Sequence, residues 1–167
     1  MPTAVTPIKR SKELAPLSRE HHDGLLFVWK IRQGIKLGIA KERIARFCTW
    51  SWASHFAAHF QKEEADLLPI LGPLHPMMEK MLEEHEAIAD KFAEIMRKPS
   101  LPAMERLAQI VNYHIRFEER QLFPLIEQIA TAEQMTAIEA ALADEMPSCG
   151  GWRDEFWVQP KGGSNLN

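Results

Sequence analysis

Strand signals are scarce in this chain: Leu, Ala, Met, Glu, Lys and Gln fill its periodic stretches, a composition that favours helices over sheets. Cysteine is nearly absent as well. Cys48 and Cys149 stand in unrelated settings with no CxxC pair, which excludes a disulfide framework, marks neither thiol as a ligand or nucleophile, and makes reduced thiols the expectation. Basic charge is not in excess. A net charge of −3 and a pI of 6.2 offer no surface for nucleic acid or for a charged membrane face. No apolar run reaches the roughly 18 residues of a membrane-crossing helix, and Met1 to Arg10 lacks the apolar segment that directs secretion. The expectation is therefore a cytoplasmic location. Glycine gathers at Gly34 and Gly38, read as a turn, and at Gly150, Gly151, Gly162 and Gly163, read as a tail.

What the chain does have is a phrase used twice. His59-Phe60-Gln61-Lys62-Glu63-Glu64, followed by Leu68-Pro69, returns as His114-Ile115-Arg116-Phe117-Glu118-Glu119, followed by Phe123-Pro124. Upstream of each copy stands an acid-histidine step, Glu20-His21 before the first and Glu84-His85 before the second. On a helix, residues four apart share a face one turn from each other, so His59 with Glu63 and His114 with Glu118 each form a chelating pair. The repeat unit is one helix with a histidine, then one helix with His-x-x-x-Glu.

At 167 residues the chain suits a single domain with a continuous core. A first helix is expected from Glu13 to Ile35, with Leu14, Leu17, His21, Leu25, Val28 and Ile35 on its inner face. A second runs from Lys41 to Gly72-Pro73 and turns Ile44, Cys48, Trp52, His55 or Phe56, His59, Glu63, Leu67 and Ile70 inward. A third, after Pro76, carries Met77, Met81, His85, Ile88, Phe92 and Ile95, and a fourth, from Pro102 to Gln128, carries Leu107, Val111, His114, Glu118, Leu122 and Leu125. Pro69 and Pro124 are expected to kink or tighten matching turns. Thr131 and Gln134 have capping-box spacing at the start of a short fifth helix reaching Met146. Beyond it, Trp152, Phe156 and Trp157 mark an irregular arm docked by its aromatics, whose last few residues are expected to be disordered. The organisation expected is an extension over residues 1–12, an all-α, up-down four-helix bundle over 13–128, and the helix and aromatic arm over 129–167.

Four histidines and two glutamates from four facing helices can hold two metal ions, the carboxylates bridging them. His21, His59, Glu63, His85, His114 and Glu118 are the candidates. Such a set leaves coordination positions open, the mark of a reactive site. Two carboxylates offset half the charge of two divalent ions, so bridging oxo or hydroxo groups from solvent are expected. Ferritin-like di-metal proteins use Glu-x-x-His, which does not occur here. His21 and His22 compete for one inward position; Glu20-His21 aligns with Glu84-His85 and favours His21. His55, one turn before His59, reads either as a further ligand or as an outer or channel residue, and His75 before Pro76 as a solvated loop residue. Glu64 and Glu119 face about 100° away from the candidate ligands and read as surface or salt-bridge residues.

Leu17-Ser18-Arg19-Glu20-His21, His59-x-x-x-Glu63-Glu64, Glu84-His85 and His114-x-x-x-Glu118-Glu119, in that order over residues 12–128, resemble the hemerythrin family and its bacterial HHE cation-binding branch. The resemblance implies a four-helix bundle around a non-haem di-iron centre, ligands His21, His59, Glu63, His85, His114 and Glu118, and O2 or NO as the small-molecule partner. Oxygen-carrying hemerythrins have another histidine one turn before the position of His85, where this chain has Met81, a poor ligand for iron. That departure draws the site towards the four-His, two-Glu centres of iron-sulfur-repair proteins. The functional expectation is a carrier or sensor of gas, or a redox centre; the alternatives are a redox enzyme or iron donor using the same centre, and a metal-stabilised module forming a homodimer through its aromatic tail.

Overall fold

The computed structural model describes residues 8–143 and 151–160; the expected end of the fifth helix at Met146 and the expected disorder of the last residues fall outside them. Five helices and no strand occur among the described residues. α1 spans Ala15–Lys36 and α3 spans Pro76–Arg97. α2 runs through Lys41–Ser51, a π-helical turn at Trp52–Phe56, and Ala57–Leu71. α4 runs through Leu101–Phe117, a π-helical turn at Glu118–Leu122, and Phe123–Ile129, and α5 spans Ala132–Ala143.

The helix ends follow local chemistry. Gly38 and Gly72 take φ of 68° and 83° after α1 and α2, a backbone region open to glycine at little cost. Ser100 Oγ accepts from the Ala103 N–H at 3.3 Å to open α4. His75 is not a free loop residue: its Nδ1 accepts from the Met77 N–H at 3.1 Å and caps α3. Thr131 and Gln134 exchange side-chain bonds to each other's backbone N–H at 3.1 and 2.9 Å, the capping box expected at the start of α5.

Two apolar clusters show how the helices run. One contains Phe27, Val28, Ile31, Ile44, Phe56, Ile88, Phe92, Leu107 and Val111; the other contains Leu14, Leu17, Leu67, Met78, Met81, Leu122, Phe123 and Ile126. α1 and α3 pass from the second cluster to the first, and α2 and α4 pass back, so the four helices alternate up and down. Between the clusters, every helix contributes histidine or glutamate.

The inner faces depart from the expected periodicity at several positions: in α3, Met78 rather than Met77 is fully buried. Leu25 is 39% exposed and Gly24 is buried instead; a Cβ at Gly24 would lie 2.7 Å from Ile115 Cδ1, so α1 and α4 approach closely at a residue that an apolar pattern overlooks. In α4, Ile126 rather than Leu125 is buried. The π turn supplies the reason: the Phe123 N–H bonds Glu118 O rather than Glu119 O, and this extra residue shifts the following face by one position. Pro124 comes two residues after this turn, yet no π turn adjoins Pro69 in α2, where the π turn lies earlier at Trp52–Phe56, so proline alone does not produce it and the expected symmetry of the two prolines is not observed.

Both ends of the bundle are closed by chain outside the repeat. Ile138 and Leu142 of α5 join the second cluster. At the other end Phe156 is 1% exposed, Lys30 Nζ lies 4.2 Å from the Trp157 ring centroid, and Arg43 forks onto Asp154 at 2.8 and 2.5 Å. Gly34 belongs to this packing and not to a turn: a Cβ there would lie 2.6 Å from Phe156 Cε2. No helix among the described residues is long and apolar enough to cross a membrane. Gly34→Val is expected to expel the Phe156 ring and cost about 1–3 kcal/mol. Denaturant titration should give a lower midpoint with a red shift of tryptophan emission; an unchanged midpoint would contradict this seat for the arm.

Candidate metal centre

Glu63 and Glu118 are the least expected groups in the interior, both carboxylates fully buried at 0% exposure. Each lies one turn after a histidine, with His59 Nε2 2.9 Å from Glu63 Oε1 and His114 Nε2 3.2 Å from Glu118 Oε1. α1 and α3 bring the other two imidazoles. His21 Nε2 lies 3.2 Å from Glu63 Oε1 and 2.9 Å from Glu118 Oε2, while His85 Nε2 lies 3.1 Å from Glu63 Oε2 and 3.6 Å from Glu118 Oε1. Two overlapping groups result: His21, His59, Glu63 and Glu118, and Glu63, His85, His114 and Glu118. Within each group the potential ligand atoms all lie within 4.8 Å of one another.

One of these contacts, His21 Nε2 with Glu63 Oε1 at 3.2 Å, is a hydrogen bond, but much of the centre is not satisfied in this way. Glu63 Oε2, both Glu118 carboxylate oxygens, and Nε2 of His85 and His114 are buried without a hydrogen-bond partner. Orphaned acceptors of this kind are costly inside a protein unless something outside the polypeptide satisfies them. A cation does so, and neutral imidazole nitrogen with carboxylate oxygen is a donor set that cations of the first transition row accept.

The opposite edge of each imidazole is fully accounted for. Glu20 bonds His59 Nδ1 at 2.6 Å, Glu64 bonds His85 Nδ1 at 2.8 Å, Glu84 bonds His114 Nδ1 at 2.8 Å, and Glu119 bonds His21 Nδ1 at 2.6 Å. An ionised carboxylate can only accept, so Nδ1 carries a proton, and a ring that gives up its second proton to bind a cation presents its lone pair on Nε2, facing the centre. The four bonds close a ring: α1 supports α2, α2 supports α3, α3 supports α4, and α4 supports α1. Glu64 and Glu119 do turn away from their own helix's contribution to the centre, and that rotation carries them onto the neighbouring helix. Reading them as surface or salt-bridge residues held for the pairing but did not name the partner histidines. The signal was present in the repeat, where an acid adjoins His21 and Glu63 in one copy and His85 and Glu118 in the other.

The remaining histidines separate clearly. His22 is exposed, so the inward place belongs to His21. His55 lies outside both groups, its ring centroid 5.7 Å from that of His59. It lines a cavity of about 10 Å³ with Gly24, Phe56, Val111 and Ile115, room for a body the size of one water. Burial, followed by the charge of His59, pushes the His55 imidazole down to about 4. Cys48 is buried and unpaired, and burial pushes its thiol up to about 12; Cys149 lies outside the described residues.

By class, then, the protein is an antiparallel helical bundle with a buried histidine and carboxylate cluster able to hold a cation. The model of the hemerythrin HHE cation-binding domain matches residues 17–126, and the chain belongs to that family. Comparisons with curated proteins and with solved structures find no match.

Without metal, these groups protect each other's charge. Burial opposes the ionisation of Glu63, but His59, His21 and His85 outweigh it and hold its carboxyl well below the ordinary range. Burial likewise opposes charging His85, yet nearby Glu118 and Glu63 raise it to about 10. Glu20 and Glu119, against the pull of partial burial, are held at about 2 by His59 and Lys62 and by His21, Ser18 and Arg10 respectively. Carboxyls lowered in the fold stabilise it above about pH 4.5 and lose that contribution as pH falls towards 2. A raised histidine stabilises it below about 6.5 and loses that contribution as pH rises towards 10. The metal-free protein is therefore expected to melt highest between about pH 4.5 and 6.5 and progressively lower on either side. Thermal midpoints from pH 2 to 10 check this; a midpoint still rising between pH 7 and 10 would contradict the charge pairing.

Proposed function

We propose that the cluster holds two iron ions and that the protein binds dioxygen or nitric oxide there, as a carrier or sensor, or cycles the irons between oxidation states. The observation that carries this reading is the sharing of both carboxylates. Glu63 turns Oε1 towards His21 and His59 and Oε2 towards His85, whereas Glu118 turns Oε2 towards His21 and Oε1 towards His85 and His114. A single ion needs no such division, but two neighbouring ions bridged by carboxylates do. On this reading His21 and His59 would hold one iron and His85 and His114 the other, with Glu63 and Glu118 available to both. Iron is chosen through membership of the family, since imidazole and carboxylate also suit other first-row metals.

When bound, the iron pair supplies reversible electron exchange with a small gas. The residues of this chain supply everything around that exchange. Glu20, Glu64, Glu84 and Glu119 hold the Nδ1 protons and fix the ring orientations. The apolar clusters on either side keep bulk water away, and the cavity beside His21 and His59 suits a diatomic molecule better than an organic substrate. His55 in its wall is neutral at neutral pH.

A second reading, a redox enzyme or iron donor, draws support from Met81. Its side chain is buried in the apolar cluster with Leu14, Leu17 and Leu67, so the turn before His85 adds no fifth histidine. Ferrous loading under nitrogen, followed by admission and removal of dioxygen, separates the two. The proposal expects two irons per chain; an optical band that appears and reverses supports gas carriage or sensing, irreversible oxidation favours redox or repair chemistry, and uptake of one iron would contradict both readings. In Glu118→Ala both ions lose a bridging group, so iron occupancy is expected to fall at least about tenfold while the helical circular dichroism persists. Occupancy equal to that of the unmodified protein would remove Glu118 from the centre.

A further inference from the structure

Arg10 stands before α1 and outside residues 17–126 matched by the family model, yet its side chain is only 8% exposed. Nη2 donates to Glu119 O at 2.6 Å and to Glu119 Oε2 at 2.9 Å, Nε donates to Ser18 Oγ at 3.2 Å, and Nη1 donates to Glu127. The guanidinium also lies 5.1 Å from the Phe123 ring centroid.

The backbone of α4 explains why a cation is needed at this point. In an α-helix Glu119 O would be met by the Phe123 N–H, but that donor is taken by Glu118 O. In a π register it would be met by residue 124, which is proline and has no N–H. The carbonyl is orphaned on both counts, and Arg10 fills the vacancy while its second bond fixes the Glu119 carboxylate.

Everything that holds His21 from its outer side is held in turn by Arg10. Glu119 Oε1 accepts from His21 Nδ1 at 2.6 Å and from Ser18 Oγ at 2.6 Å, and Phe123 stacks on the His21 ring at 5.2 Å and 13°. The other outer carboxylates are supported differently. Glu20 and Glu84 pair with Lys62 and Lys80, whose side chains are 30% and 49% exposed, and Glu64 is itself 41% exposed beside His85. Among the described residues, His21 is the histidine of the centre whose outer carboxylate is held by a buried, planar arginine fork with several fixed acceptors.

We infer that Arg10 is a positioning residue for His21, so that the segment before α1 sets the geometry and metal affinity of the His21 and His59 half of the centre. The metal part of this inference rests on the two-iron reading; the orientation of His21 does not.

The test uses the full chain with nitrogen-labelled histidine and the variants Arg10→Gln and Arg10→Lys. In the metal-free protein, the His21 Nδ1–H resonance is expected to be protected from solvent exchange. In Arg10→Gln that resonance should broaden or vanish while those of His59, His85 and His114 persist; Arg10→Lys keeps the charge but not the fork and should fall between. Under nitrogen, ferrous titration of Arg10→Gln should show one equivalent weakened about 10–100-fold and the other unchanged. An unaltered His21 resonance in both variants, or equal loss of all four resonances with a lowered melting midpoint, would overturn the positioning role. If the unmodified protein took up no iron, the two-iron reading would fail, and the histidine resonances of the metal-free variants would still decide the role of Arg10.

Discussion

Two fully buried carboxylates, Glu63 and Glu118, are the constraint on which this fold is organised. Taking one such ion out of water costs on the order of several kcal/mol even after relaxation, and each here carries at least one oxygen without a hydrogen bond. Hydrophobic packing on either side cannot offset that locally, because apolar groups offer an anion nothing. Positive charge has to come to the centre, as protonated imidazole in the metal-free protein or as cations when metal is bound. The four histidines make both solutions available, which is why the same side chains dominate the metal-free electrostatics and the proposed chemistry.

The surrounding structure can be read as the means of keeping those imidazoles aimed. Each helix supplies an inward group and, at the adjacent position, a carboxylate for the next helix, so a single dipeptide spacing serves ligand and support at once. The arrangement couples the four helices in a ring, and displacement of any one would release both a histidine and another helix's support. The apolar clusters add exclusion of water, and the closing elements α5 and the aromatic arm complete them at the two ends. Arg10 extends the same logic beyond the repeat, repairing a backbone defect in α4 and steadying Glu119 with one guanidinium.

The all-helical bundle was legible because long amphipathic periods, glycine stops and capping residues agree with one another. The six candidate residues were legible because His-x-x-x-Glu fixes two groups on one helical face, and duplication places the two copies opposite each other. What escaped was contact between helices. Neither the pairing of Glu64 with His85 nor that of Glu119 with His21 is visible along one helix, and a hydrophilic residue adjoining a ligand looks like solvent-facing surface. Gly24 was overlooked, and Gly34 taken for a turn, because close approach requires the absence of a side chain, which no apolar count registers. The π turn at Glu118–Leu122 broke the periodicity that pointed to Leu125, and it also created the carbonyl that recruits Arg10 from a distant part of the chain.

The central claim is that Glu63 and Glu118 are shared between two metal ions. Mössbauer spectra of the oxidised, iron-loaded protein, recorded at low temperature with and without an applied magnetic field, test it most directly. Bridged ions so close together are predicted to couple their spins into a diamagnetic ground state, leaving quadrupole doublets without intrinsic magnetic splitting. Magnetically isolated high-spin ferric ions in the fully loaded protein would contradict the shared-carboxylate centre.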